Sequence, residues 1–307
     1  MSAGPGSLRV GVIGVGSMGW PMAARLAQAG HAVQVYDAAP GQAARFAAEV
    51  GGKAAATCRA LAEASELIIT MLPTSAIVEQ VLQGEDGVLA GLRPGSVVIE
   101  MSSGVPAHTQ RLAAAVAAAG GELADAPVSG GVPRARTGEL AIMFGGPAAT
   151  LARVRPVLAA MGTSILHTGA VGSAHAMKAL NNLVSAGGFL IGVEAMLIGQ
   201  QFGLDPAVIV DVLNASTGMN NSTQKKFKQF VLSRQFNSGF GLDLMVKDLG
   251  IALGIAADTG TPTPFAALCH ELWAAAGKSL GQGQDHTAVA RLCEQLAGVE
   301  LAATRGD

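Results

Sequence analysis

Residues 14–19 read Gly-Val-Gly-Ser-Met-Gly, directly after an apolar run and directly before a segment with helical periodicity. Glycines at this spacing are informative only in that strand-to-helix setting, where each answers a different demand. Gly14 permits a tight turn, Gly16 lets backbone N–H groups approach a pyrophosphate, and Gly19 allows the helix to pack closely on the strand. The amides at the helix N-terminus add partial positive charge toward an anion. Asp37 ends the next β-rich run, about 20 residues on, where a carboxylate accepts hydrogen bonds from ribose hydroxyls and repels a 2′-phosphate. Ala38, Ala39 and Pro40 follow, with no arginine among them to receive such a phosphate. The segment therefore predicts a dinucleotide site with Gly14, Gly16, Ser17, Met18, Gly19 and Asp37 as contacts, and NAD as the cofactor.

The rest of the first half continues the same rhythm. Short β-rich runs at 8–15, 32–36, 66–72, 96–101, 122–126, 139–144 and 164–167 alternate with helical runs at 18–29, 42–50, 76–82, 107–119 and 148–160. Gly30, Gly51 and Gly120 stand where helices end. After residue 167 the strand signal stops. A long helix over 173–202 opens the second half, and later helices start near Asp205-Pro206, Asn220, Leu242, Pro264 and His286. The expected architecture is an α/β Rossmann domain at 1–168, doubly wound with a mostly parallel sheet. A long interdomain helix joins it to an all-helical domain for substrate binding and oligomerisation at 169–307.

Composition narrows the partners. Half of the 307 residues are hydrophobic and 14% are charged, which excludes a disordered chain, and a net charge of −2 supplies no field to gather nucleic acid. Cys58, Cys269 and Cys293 lack metal-ligand spacing, so no metal is expected. The first ten residues hold no apolar signal core, and the reading is a cytoplasmic protein. The apolar stretch 183–199 includes Glu194 and the pair Gly187-Gly188, and falls short of the roughly 20 residues a membrane span needs. It reads as a buried helix, with no membrane partner.

Three polar groups interrupt apolar surroundings. Asp125-Ala126-Pro127-Val128-Ser129-Gly130-Gly131 follows a strand, and its serine and glycines suit either a structural turn or a loop that holds a small anion. Lys178 and Asn182 share one face of the long helix, where a lysine is either a snorkelling edge residue or a group with a task. His175, one turn earlier, reads as structural or solvated, with a second polar contact as the alternative. Lys247-Asp248 is a charged pair within an apolar helix.

These four motifs, in this order and across nearly the whole chain, resemble the β-hydroxyacid dehydrogenases. That family includes 3-hydroxyisobutyrate, tartronate semialdehyde and threonate dehydrogenases. The resemblance implies an active site between the two domains, in a homodimer or homotetramer. It implies that Ser129, Gly130 and Gly131 bind the substrate carboxylate region, that Lys178 is the general acid/base and that Asn182 holds the substrate. Lys247, supported by Asp248, would close the site on substrate and cofactor. Met71, Leu72 and Pro73 would lie beside the cofactor, and Ser102-Ser103 would reach its nicotinamide side through Ser103. Three positions depart from the family pattern: Ser103 replaces threonine, Ala174 replaces a glycine and Arg134 replaces a glycine. Arg134 is either a solvated loop residue or a second anchor for an anionic or hydroxyl-rich substrate group. The polar loop 216–222 is expected near the substrate by analogy alone.

The function expected is reversible oxidation of a small β-hydroxy acid by NAD to the aldehyde or ketone. Removing hydride from an alcohol leaves a carbonyl only if the hydroxyl proton also departs, hence the need for a base. The alternatives are an imine reductase of the same fold, whose relatives lack lysine at this position, and a non-enzymatic dinucleotide-binding protein, which needs no proton-transfer residue.

Overall fold

The apolar runs of the first half are buried on both faces because they pair as a parallel sheet between two layers of helices. A computed structural model describes residues 8–302. Strands β1 (Arg9–Ile13), β2 (Ala32–Tyr36), β3 (Lys53–Ala54), β4 (Leu67–Thr70), β5 (Val97–Glu100) and β6 (Glu122–Asp125) are mutually parallel in the order β3-β2-β1-β4-β5-β6. Three more, β7 (Val128–Ser129), β8 (Leu140–Gly145) and β9 (Gly162–Gly169), extend the sheet past β6. There β8 runs antiparallel to β6 and β7 but parallel to β9. This is the doubly wound, mostly parallel sheet expected.

Side chains alternate across the strands. Val10, Val12, Leu67, Ile69, Val97 and Ile99 face one layer, with Met22 and Leu26 of helix Gly19–Gln28, Phe46 of Gln42–Glu49 and Leu158 of Ala148–Met161. Ile13, Ile68, Val98 and Leu123 face the other, with Leu61 of Cys58–Ala64, Val78 of Ser75–Gln83 and Leu112 of Pro106–Ala118. Gly30, Gly51 and Gly120 take positive φ just past their helices. Five elements escaped the sequence reading: β3, β7 and the helices Cys58–Ala64, Val88–Gly91 and Gly131–Thr137. The first two are two residues long, too short to show a period, and the last carries Pro133 in its first turn.

The chain divides into two units, one reaching Lys178 and the other starting at Ala179. The helix Ser173–Phe202 begins in the first and continues into the second. It is the one helix among the described residues long and apolar enough to cross a membrane. In the second unit Ala186, Phe189, Val193, Met196 and Leu197 from this helix join a core with Phe227, Leu249 and Trp273. Phe189 meets Phe227 and Trp273 edge-on, with centroids 5.2 and 6.0 Å apart. The single helix expected from Asn220 is instead two pieces, Asn221–Lys225 and a π-helical Phe227–Leu232. Lys226, at φ −129, leaves helical geometry between them.

His286 sits inside this core, stacked on Trp273, with Nδ1 3.0 Å from the Ser238 hydroxyl and 3.2 Å from the Phe240 carbonyl. Burial, reinforced by the Lys226 charge and opposed by Asp285 and the Phe240 carbonyl, lowers its pKa to about 4 from 6.5. The unfolded chain therefore binds a proton that the folded protein refuses, and stability falls as pH drops through this window. Between pH 6.5 and 4, wild type should lose about 3 kcal/mol more unfolding free energy than His286→Gln, measured by urea denaturation. Equal losses in the two proteins would remove His286 as the cause.

Candidate functional site

Parallel pairing brings the carboxyl ends of the strands to one edge of the sheet. In register, Ile13 lies beside Tyr36 and Thr70, Thr70 beside Glu100, and Glu100 beside Asp125. Each polar motif of the first half is the segment that leaves one of these ends. A ligand laid along this edge meets loops that are 13 to 125 residues into the chain as neighbours.

The glycine turn leaves β1. Gly14 has φ 91, and a Cβ there would press on the Met71 carbonyl and lie 2.9 Å from Leu72 Cδ2. A Cβ on Gly19 would strike the Gly14 carbonyl, whereas one on Gly16 would meet nothing within 4 Å. The third glycine thus closes the turn on its own backbone, the first lets the turn pack against the Met71-Leu72 segment, and the second faces open space. Gly16 and Ser17 are exposed, and Met18 is half-buried. Asp37 is held rigidly, its two carboxylate oxygens accepting the N–H groups of Val15 and Ala39 at 2.8 Å each. Gln42 donates to the Val15 carbonyl at 2.7 Å. An open backbone cradle at a helix start, beside an oriented carboxylate, fits a dinucleotide.

The neighbouring segments complete the edge. Met71 N–H donates to the Ile13 carbonyl at 2.9 Å, and Leu72 N–H to the Ser102 hydroxyl at 3.0 Å. Pro73 follows Leu72, and half-buried Ser103 follows Ser102. Beyond β6, half-buried Ser129 leads into Gly130 and Gly131, with φ 134 and 67. Arg134 is exposed, and its stem lies across Gly130, where a Cβ would be 2.7 Å from Arg134 Cδ.

The helix Ser173–Phe202 starts against this edge without positive φ at Ala174. Lys178 is 7% exposed. His175 is 1% exposed, so the solvated reading is excluded. Its Nδ1 lies 2.8 Å from the Thr109 hydroxyl, and its Nε2 lies 3.0 Å from the Ser102 carbonyl and 3.4 Å from Glu100 Oε2. The sequence reading left Glu100, Thr109 and the Asp125 carboxylate without roles. For the two carboxylates the one visible signal was an acidic residue closing a strand, in Val-Val-Ile-Glu and Glu-Leu-Ala-Asp.

In the second unit the later motifs meet one another. Asn182 donates its amide to Asp248 Oδ2 at 2.6 Å, and Lys247 Nζ is 3.4 Å from Asp248 Oδ1. Asp248 is buried and thereby orients both neighbours. Asn182 Oδ1 accepts from Asn181 at 3.2 Å. In the loop 216–222, Asn220 caps the helix Asn221–Lys225 by accepting from Ser222 and Thr223 N–H and also donates to the Gly188 carbonyl at 3.3 Å. Thiol chemistry is disfavoured throughout, since burial pushes Cys58, Cys269 and Cys293 up to about 11.

Comparison with known proteins covers both halves. Residues 9–169 match the NAD binding domain of 6-phosphogluconate dehydrogenase, and residues 172–293 match the NAD-binding domain of NADP-dependent 3-hydroxyisobutyrate dehydrogenase. The chain is 36% identical to 2-(hydroxymethyl)glutarate dehydrogenase of Eubacterium barkeri over 96% of this chain and 98% of that protein. It is 38% identical to 3-hydroxyisobutyrate dehydrogenase of Pseudomonas aeruginosa, over 92% and 97% respectively. Among solved structures, Mycobacterium tuberculosis 3-hydroxyisobutyrate dehydrogenase with L-serine superposes with a TM-score of 0.86 at 33% identity, covering 94% of this chain and 99% of that one. With the glycine turn, the oriented Asp37 and matches along almost its whole length, the chain belongs to the β-hydroxyacid dehydrogenase family of NAD(P)-dependent dehydrogenases.

Proposed function

We propose that this protein reversibly oxidises the hydroxyl of a small β-hydroxy acid, using NAD, with Lys178 as general acid/base. The observation that carries this reading is a lysine 7% exposed at the start of the helix Ser173–Phe202, one helical turn before an asparagine whose amide is already oriented. Lysines are seldom buried without a task. When bound, the nicotinamide supplies hydride acceptance and donation. Lys178 Nζ takes the hydroxyl proton in the oxidative direction and returns it in the reductive one. Asn182 orients the same hydroxyl without competing for the proton, and Asp248 holds that amide and Lys247 together. Ser129, Gly130 and Gly131 receive the substrate carboxylate, since two successive glycines of positive φ let backbone amides turn toward an anion. Gly14, Gly16, Ser17, Met18, Gly19, Asp37, Met71, Leu72, Pro73, Ser103 and Lys247 contact the cofactor. Imine reduction is disfavoured by Lys178, and a purely binding role by the buried Asn182–Asp248–Lys247 group.

Residues 169–307 would also carry the interface of a homodimer or homotetramer. Val184, Ile198 and Phe202 remain 77%, 72% and 82% exposed, apolar surface that a second subunit would cover. The protein is expected in the cytoplasm.

Lys178→Ala should lower turnover by about two to four orders of magnitude with NAD affinity nearly unchanged, and Lys178→Arg should not restore it. The measurement is reduced-nicotinamide absorbance on a panel of 3-hydroxyisobutyrate, 2-(hydroxymethyl)glutarate, L-serine and glycerate. Wild-type turnover by Lys178→Ala, where chemistry limits the rate, would remove lysine from the mechanism.

NAD should be preferred to NADP, because the fixed Asp37 carboxylate repels a 2′-phosphate. Equal kcat/KM for the two cofactors would contradict this, and Asp37→Asn combined with Ala38→Arg should shift the preference toward NADP.

Arg134, whose stem lies across Gly130, would receive a second acidic group on the substrate. Arg134→Ala should raise KM for 2-(hydroxymethyl)glutarate about tenfold or more and leave that for 3-hydroxyisobutyrate within about twofold. Unchanged KM for both acids would return Arg134 to the solvent.

A further inference from the structure

The start of the lysine helix is held by groups far away in sequence. Asp125, the last residue of β6, has no exposure, and its Oδ1 accepts the Gly172 N–H at 2.7 Å while Oδ2 accepts the His175 N–H at 2.8 Å. Donors that a helix leaves open in its first turn are thus collected by a carboxylate 47 and 50 residues earlier in the chain. Glycine is kept at 145 to make room: a Cβ there would lie 2.5 Å from Asp125 Oδ1 and 3.0 Å from Ala174 N.

The His175 ring fastens the same turn on its other side. Its Nε2 meets the Ser102 carbonyl at 3.0 Å, and the Ser102 hydroxyl in turn accepts the Leu72 N–H at 3.0 Å. This links the helix to the two strand-end segments that, in the function proposed above, lie along the cofactor. Gly104 clears the space, since a Cβ there would be 2.8 Å from His175 Cε1 and 3.0 Å from Glu100 Oε2. Thr109 closes the group from the helix Pro106–Ala118.

We propose that Asp125 and His175 are positioning residues that set where Lys178 stands relative to the strand-end segments at Leu72 and Ser102. The proposal rests on Lys178 being the acid/base. His175 is one helical turn from Lys178, and the amides that Asp125 holds are those of His175 and of Gly172, the residue just before the helix, so displacement of either anchor moves the lysine. Proton transfer demands hydrogen-bond reach, and a misplacement of about 1 Å costs on the order of a hundredfold in rate. A carboxylate is an expensive cap for this duty. Burial pushes the Asp125 carboxyl above its usual range, opposed by the Gly172 and His175 amides. An isosteric Asn keeps the shape but turns one accepting oxygen into a donor facing an N–H.

The test is a double-mutant cycle on kcat, using the fastest acid of the panel above, with NAD binding by tryptophan fluorescence and thermal midpoints read in parallel. Asp125→Asn should cut kcat by about tenfold to a hundredfold while the NAD Kd stays within about twofold. His175→Leu should do the same, and His175→Gln, whose amide can still donate to the Ser102 carbonyl, should recover most of the loss. In a Lys178→Ala background, Asp125→Asn should change kcat by less than about twofold, because the group it positions is gone. The same fold-loss in both backgrounds, or wild-type kcat in folded Asp125→Asn, would overturn the proposal. If Asp125→Asn does not fold, the His175 variants complete the cycle with the same criteria. Full activity of Lys178→Ala alone would instead remove the acid/base assignment, and the proposal with it.

Discussion

Everything chemical in the first unit depends on parallel hydrogen bonding in one register. Because β1, β4, β5 and β6 run the same way and pair Ile13, Thr70, Glu100 and Asp125 in a row, the four chains leave the sheet side by side. An antiparallel arrangement would send alternate ends to opposite edges. The apolar strands make this row stable by burial on both faces. They also make its outer end costly, since Glu100 and Asp125 terminate apolar strands with carboxylates that are 1% and 0% exposed.

Those two carboxylates are retained because amides and side chains of neighbouring segments meet them. Asp125 takes backbone donors from the start of the lysine helix, and Glu100 lies against His175 and Thr109. The glycines at 104 and 145 follow from the same packing: each is a place where a methyl group would displace the buried polar atoms. A glycine in such a chain therefore carries information about what lies against it, not only about turns. Gly16 is the complementary case, open where Gly14 and Gly19 are crowded.

The second unit uses one carboxylate differently. Asp248 stands between Asn182 and Lys247, and satisfies an amide at 2.6 Å with one oxygen while facing the ammonium at 3.4 Å with the other. Its burial makes the pair sensitive to removal of a single partner, since a charge left alone in the interior is costly.

Periodicity and glycine placement in the sequence were enough for the main alternation of strands and helices, the bounds of the long helix Ser173–Phe202, the glycine turn after β1 and the place of Asp37 at the end of β2. These are local properties, set by side-chain period, by turn geometry and by spacing within about 20 residues. Tertiary structure alone decided the antiparallel joining of β8 to β6, the two-residue strands β3 and β7, and the break at Lys226. It also decided that His175 is an internal tie and that Asp125 caps a helix 47 residues further on. No local pattern encodes such contacts. Whether a carboxylate at a strand end faces water or the amides of a distant helix depends on which segment packs over it, and the sequence around Asp125 is the same in either case.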